Sequence, residues 1–154
     1  MTQNPTLYVG TIGESVWRSE DGGESWKRTS AGMFVEADIR AMAVRPDNPA
    51  VLFAGTETGL YRSDDRGDNW SLVDSPMNDM QIWAMVISPK NPDTMYAGTC
   101  PSALFKSADG GKTWRKLAVD LAEECEGVPI VPRVTTVIVD PEDDQVVYAG
   151  IEID

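Results

Sequence analysis

A chain of 154 residues with 13 basic and 25 acidic side chains carries a formal charge of −12 and contains no histidine. It lacks the basic footprint that phosphate demands, which excludes nucleic acid and argues against docking on an anionic membrane surface. Without histidine, no Ser-His-Asp or Cys-His nucleophile and no His-rich catalytic zinc site can be built. Any chemistry would rest on carboxylates, tyrosines, lysines or a hydrated cation, and the acid excess by itself serves solubility. The N-terminal MTQNPTLYVG has no basic segment leading into an apolar run, so no signal peptide is expected. No stretch approaches the roughly 18 apolar residues of a membrane helix. Cys100 and Cys125 are too few for a disulfide framework. They are expected as free thiols in a cytoplasmic protein, with a Cys100–Cys125 bridge as the other arrangement.

Taken in chain order, the elements repeat. LYVGT (7–11) is followed by RSEDGGESW (18–26). IRAMAVRPDNP (39–49), VLFAGT (51–56) and RSDDRGDNW (62–70) come next. The same three reappear as IWAMVISPKNP (82–92), TMYAGT (94–99) and KSADGGKTW (106–114), then RVTTVIVDPED (133–143) and VVYAGI (146–151). Trp26, Trp70 and Trp114 are each 44 residues apart. Each repeat predicts four short strands: A, an apolar run ending at a proline turn; B, a Tyr/Phe-Ala-Gly run; C, ending in Arg/Lys-Ser; and D, opening on Trp. Val, Ile, Tyr and Trp favour strands, while the intervening Pro, Asn, Asp and Gly clusters are turn chemistry. No segment has the period of an amphipathic helix. Four strands per repeat of this length define the blades of an all-β propeller.

The phase of the repeat divides residues 1–154 into one partial propeller of about three and a half blades. Blade 1 supplies strands B to D over 6–30, blades 2 and 3 are complete at 38–75 and 81–118, a loop covers 119–132, and blade 4 begins at 133–154. Closed rings need about 4 to 8 blades. The chain is therefore expected to be a fragment of a propeller of six to eight blades, or to be completed by oligomerisation. Alone, its open edges predict low stability or self-association.

The pattern Ser-x-Asp-x-Gly-x-x-Trp stands three times: Ser19/Asp21/Gly23/Trp26, Ser63/Asp65/Gly67/Trp70 and Ser107/Asp109/Gly111/Trp114. This is the Asp box, or BNR repeat. Through it the chain resembles the Asp-box propellers, which include sialidases, xyloglucan-type glycoside hydrolases, sortilin-like receptors and photosystem II assembly factors. The resemblance implies a C–D turn on the face opposite the ligand. Its glycine permits a positive φ, its Asp and Ser bond backbone N–H groups, and its Trp covers the hairpin. These residues are read as scaffold, a weak calcium site being the alternative use. No cofactor or metal centre is expected.

If the C–D turns share one face, the B–C and D–A connections (30–38, 56–59, 75–81, 99–103 and 119–132) share the other. The last is longest and carries Asp120, Glu123, Glu124, Cys125 and Glu126. It is read either as a solvated acidic loop or as part of a binding face. At the start of strand A, Arg40, Trp83 and Arg133 take equivalent places near the channel mouth. Two guanidinium forks and an indole there could hold a carboxylate or stack on a sugar, or simply pair with neighbours such as Asp38 or Glu36. Glycoside hydrolysis usually needs two carboxyl groups across the scissile bond. The Arg-Ile-Pro of sialidases is absent. In the xyloglucanase-like pattern an Asp follows strand B, and Glu57 takes that place, either as a catalytic group or as a turn residue. The leading expectation is a non-catalytic scaffold binding a protein partner on the B–C/D–A face. The alternative is a glycoside hydrolase or a carbohydrate-binding BNR-repeat segment.

Overall fold

The computed structural model describes residues 4–122, 124, 125, 127 and 129–152. Thirteen strands in four antiparallel sheets make up the regular structure among these residues, and no helix occurs among them. Strands β1 (Leu7–Gly10), β2 (Val16–Ser19) and β3 (Lys27–Arg28) form the first sheet. β4 (Ala41–Val44), β5 (Leu52–Gly55), β6 (Leu60–Ser63) and β7 (Ser71–Leu72) form the second. β8 (Gln81–Ile87), β9 (Met95–Cys100), β10 (Ala103–Ser107) and β11 (Arg115–Lys116) form the third, and β12 (Arg133–Val139) pairs with β13 (Val147–Glu152). Each sheet is laid down in sequence order, as short turns between alternating strands require. These sheets are the blades of a β-propeller.

The core lies between blades, not within them. Val16, Ile39, Leu52, Ala54 and Trp70 close the space between the first two sheets, and Phe53, Leu60, Ile82, Met95, Phe105 and Trp114 the next. Val134 and Val137 pack with Tyr96 and Leu104 at the third junction. Hence β5 is buried at every residue, whereas the first and last strands in the chain, β1 and β13, are largely accessible. The Ala-Gly of strand B has a steric cause. A Cβ on Gly10 would overlap the Ile39 side chain, one on Gly55 would lie 2.7 Å from Ile82, and one on Gly98 would lie 2.5 Å from Val134. Each blade thus seats the first apolar residue of the next strand A on a bare backbone.

The Asp-box turns are closed hydrogen-bonded units. The Ser63 hydroxyl donates to Asp65 (2.8 Å) and accepts the Gly67 N–H (2.8 Å), while Asp65 accepts both the backbone and side-chain N–H of Asn69 (2.8 Å each). Ser19/Asp21/Ser25 and Ser107/Asp109/Thr113 repeat the arrangement. Gly67 and Gly111 sit at φ +84° and +83°, a region where a side chain is strained. The amide of Asn69, then its backbone N–H, hold the Asp65 pKa down to about 2. The hydroxyl and N–H of Thr113 do the same for Asp109, also to about 2. Asp21 is lowered chiefly by the Ser25 hydroxyl.

The first box meets the expectation at Gly23 and departs from it at Trp26. The Gly23 N–H donates to the Ser19 hydroxyl at 2.8 Å as in the other boxes, and its carbonyl accepts the Trp26 indole N–H at 3.1 Å as Gly111 does from Trp114, whereas the Trp70 indole donates to the Thr29 carbonyl of blade 1. The Gly23 φ is positive but wider, at +101°. The surroundings differ. A Cβ on Gly111 would lie 2.8 Å from Phe53 of the preceding blade, and one on Gly67 would meet Thr29 and Tyr8 of blade 1 at 3.5 and 3.6 Å. A Cβ on Gly23 would meet only Leu7 and Trp26 of its own blade, at 3.5 and 3.9 Å. Among the described residues no other blade stands against this box, so Gly23 answers here to backbone conformation alone. For the same reason Trp26 is an exposed side chain and not the cover that Trp70 and Trp114 provide.

Because the folded-state values of Asp65 and Asp109 lie below the ordinary carboxylate value of about 4, the associated stability is complete above that pH. It is lost as pH falls through about 2. Melting temperature followed by circular dichroism from pH 7 to 2 is expected to stay level to about pH 4 and then drop. The drop should be shallower in Asp65→Asn/Asp109→Asn; equal slopes would reject this source of the acid sensitivity.

Neighbouring blades are also latched through polar groups. Arg18 Nη1 donates to the Arg66 carbonyl at 2.7 Å, and Arg62 Nη1 to the Gly110 carbonyl at 3.1 Å. Each reaches from strand C into the next Asp-box turn. The Tyr8 hydroxyl reaches the same Arg66 carbonyl at 3.0 Å. The arginine before the box serine is thus an inter-blade tie in blades 1 and 2.

Candidate functional site

The two faces are distinguished by their contacts. Asp-box turns bond the proline turns of their own blades, Arg66 N–H to Ala50 and Gly110 N–H to Asp93. The B–C and D–A connections meet on the other face: Ser15 N–H donates to Ala37, Asp79 N–H to Thr58, and Asp38 N–H to the Glu57 carboxylate at 2.8 Å. The Cys100 thiol faces the Val131 carbonyl at 3.8 Å, and both cysteines are free thiols. Within the long loop, Leu121 packs against the third junction, while Glu123 and Glu126 lie outside the described residues.

Arg40, Trp83 and Arg133 do come together, but not from equivalent positions. In β8 and β12 the register shifts between Ile82 and Ala84 and between Val134 and Thr136, so a β-bulge holds Trp83 in one strand and Thr135 in the other. Gln81 pairs with Cys100 as Arg133 pairs with Glu152. Arg133 therefore stands in the row of Asp38 and Gln81, and Thr135 is the counterpart of Arg40 and Trp83. The bulge still aims the three side chains at one place. The guanidinium carbons of Arg40 and Arg133 each lie 4.5 Å from the Trp83 ring centroid. They come from blades on either side, so the indole is held between two cations.

This arrangement is internally matched. Arg40 pairs with Asp38 at 2.8 Å and Arg133 with Glu152 at 2.6 Å, while the Trp83 indole N–H donates to Gln81 at 3.0 Å. Glu57 fixes the backbone of Asp38, extending the chain of contacts to the B–C turn of blade 2. Both faces of the indole are engaged, so it offers no platform for a sugar ring, and both forks already hold a carboxylate. Of the two uses expected for these residues, the pairing of Arg40 with its neighbour Asp38 is the one present, within a cation–π stack that ties three blades at the channel mouth. Glu57 accepts one backbone N–H, which is the behaviour of a turn residue.

Exposed apolar residues on the same face were not singled out from the sequence. Phe34 is 62 % exposed and Ile12 63 %, with Val35 beside them. The 30–38 connection that carries Phe34 is pinned by Ala37 N–H to Phe34 O and by Met33 N–H to Ser30 O. Arg28 reaches across to the Val35 carbonyl at 3.5 Å. The aromatic ring is thus exposed on a braced loop. Its one sequence signal is an aromatic residue with no counterpart in the other repeats.

Blades, box turns and loop face together define an Asp-box β-propeller. Residues 58–147, more than half of the chain, match the family model described as Sortilin, neurotensin receptor 3 (Sortilin-Vps10), and the chain belongs to that family. It is 33 % identical over 118 residues to a xyloglucanase of Hypocrea jecorina, a match covering 72 % of this chain and 13 % of that enzyme. The crystal structure of an ancestral GH74 enzyme superimposes with a TM-score of 0.80 at 25 % identity, covering 96 % of this chain and 20 % of the other. YCF48 bound to D1 peptide shares the fold at a TM-score of 0.59 and 16 % identity, over 86 % of this chain and 44 % of the other. The chain thus spans about one seventh of the length of the curated relatives it matches.

Proposed function

We propose that this chain is a glycan-binding segment of a GH74-type propeller and that its loop face, with Phe34 as the stacking platform, contacts a neutral polysaccharide such as xyloglucan. The observation that carries the reading is the 33 % identity to a xyloglucanase, which extends over most of the chain. Composition and geometry support it. The stack at the channel mouth is charge-matched and presents no free cation to an anionic ligand. Phe34 supplies the outward ring that Trp83 does not. Glu57 serves to hold the 30–38 connection in place. The reading is one of binding, with Glu57 held on the Asp38 N–H as a turn residue.

Isothermal titration of the protein with xyloglucan oligosaccharides tests this. Binding is expected, weakened at least tenfold by Phe34→Ala and retained by Glu57→Gln, with no release of reducing ends. An unchanged affinity in Phe34→Ala, or no heat at millimolar oligosaccharide, would overturn it. Ile12 and Val35 also suit an apolar protein partner. That second reading would be lost if the face bound the glycan but retained no apolar peptide.

A further inference from the structure

The repeat is broken at three positions that meet in one groove. Between blades 2 and 3, both of them complete sheets, the outer rim carries a groove of about 330 Å³. Arg62, Asp64, Ser71, Leu72 and Val73 of blade 2 line one side of it, and the third Asp box lines the other with Gly111 and Lys112. The blade 2 side is held in place. Arg62 Nη1 donates to the Gly110 carbonyl, its Nε and Nη2 bond Asp64, and its guanidinium lies 5.5 Å from the Phe53 ring. The Val73 N–H donates to the Leu60 carbonyl at 2.8 Å, and Val73 packs on the core of this junction.

Counted from the box tryptophans, Ser71 and Leu72 take the places of Lys27 and Arg28 in blade 1 and of Arg115 and Lys116 in blade 3. Where the other two outer strands carry a pair of cations, β7 has a short hydroxyl and a leucine that is 48 % exposed. Lys112 takes the place of Asp68. At the junction of blades 1 and 2, Asp68 pairs with Arg18 at 2.9 Å, and Glu20 pairs with the same arginine at 3.1 Å. The charges of Arg18, Lys27, Glu20 and Asp68 cancel there. In the groove, Arg62, Lys112 and Asp64 leave one positive charge uncancelled. Among the described residues no carboxylate pairs with Lys112. Its neighbour Asp109 is occupied within the turn by Ser107, Thr113 and the Lys112 backbone N–H.

We propose that this groove seats a protein partner through an acidic residue next to an apolar one, the carboxylate on Lys112 and the apolar side chain against Leu72 and Val73. Charge complementarity selects the acid, since a cation without a mate stands alone on a chain of net charge −12. Asp64 in the same groove opposes a dianion such as phosphate, which leaves a single carboxylate as the better fit. Ser71 leaves room where the other two repeats carry a lysine or an arginine. The occupant is a protein and not a free acid, because the groove is open along the rim and one exposed ion pair contributes little unless a wider interface holds it. The groove belongs to the Asp-box side, opposite Phe34, so the inference does not rest on the glycan reading.

Magnetic resonance titration of the isotope-labelled 154-residue protein with an acetylated, amidated Leu-Glu-Leu-Glu peptide tests this. Amide shifts are expected at Ser71, Leu72, Val73, Gly111 and Lys112, and binding should weaken as salt rises. Lys112→Asp restores the residue that closes on the arginine at the first junction, so this variant should melt no lower than the wild type while its affinity falls roughly tenfold. Leu72→Ser, at an accessible position, should stay folded and bind several-fold more weakly. The same peptide with Lys in place of Glu should not bind. No shifts at millimolar peptide, shifts centred elsewhere, affinity unchanged in both variants, or equal binding of the Lys peptide would each overturn the proposal. Hexanoate bound as tightly as the peptide would also overturn it, by making the ligand a small acid.

Discussion

Gly98→Val is expected to be strongly destabilising. An added Cβ would lie 2.5 Å from Cγ1 and 2.7 Å from Cβ of Val134, and 3.1 Å from its carbonyl oxygen. Val134 is wholly buried and β-branched, and its backbone is paired in β12, so neither partner can turn aside. Relief requires the fourth blade to lift from the third, opening the junction that Val137, Tyr96 and Leu104 fill. Overpacking of this kind costs about 3 kcal/mol or more, which for a chain of this size lowers the melting temperature by roughly 6–12 °C. Gly13→Ala is the control. Gly13 has φ +84° but no atom within 4 Å of a built Cβ, so only the left-handed backbone penalty of about 1 kcal/mol applies. Calorimetry that found the two variants equally stable would show that strand B glycine is conformational in purpose and not a blade contact.

That contrast shows what the amino-acid pattern makes legible. The blade phase, the strand order and the Asp-box turns follow from local chemistry repeated at fixed spacing, and each turn forms from residues within a few positions of one another. The turn at Gly23 is legible for that reason, while the exposure of its Trp26 is not written in the box itself. Arg133 matches Arg40 and Trp83 in the sequence because all three open an apolar run. Counted back from the proline turns at Pro46, Pro89 and Pro141, the row is Arg40, Trp83 and Thr135. A bulge adds a residue without any special side chain to announce it, and it shifts a register by an amount that composition does not record. The stack is formed between blades, from residues about fifty positions apart. The occupancy of both faces of Trp83 therefore depends on blade spacing and not on sequence order. Phe34 escapes the pattern for the opposite reason: what sets it apart is its difference from the repeat.

Trp83→Ala should then expose what the stack does. The indole separates two guanidinium groups whose partner carboxylates, Asp38 and Glu152, lie on their own sides of it. Removing the ring forfeits its packing and two cation–π contacts, and it leaves Arg40 and Arg133 facing one another across the gap. Trp83 is only partly buried, so the loss is expected at about 2–3 kcal/mol rather than at the upper end for tryptophan. The diagnostic is salt. The repulsion uncovered in the variant is screened as ionic strength rises, so Trp83→Ala should recover part of its stability between low and high salt while the wild type changes little. Arg133→Ala on the Trp83→Ala background should cost less than on the wild type, because the uncovered repulsion goes with the charge. Urea denaturation of the four proteins at two salt concentrations measures both effects. Additive losses with no salt dependence would mean that the indole acts only as filler and that the guanidinium pair is held apart by Asp38 and Glu152 alone.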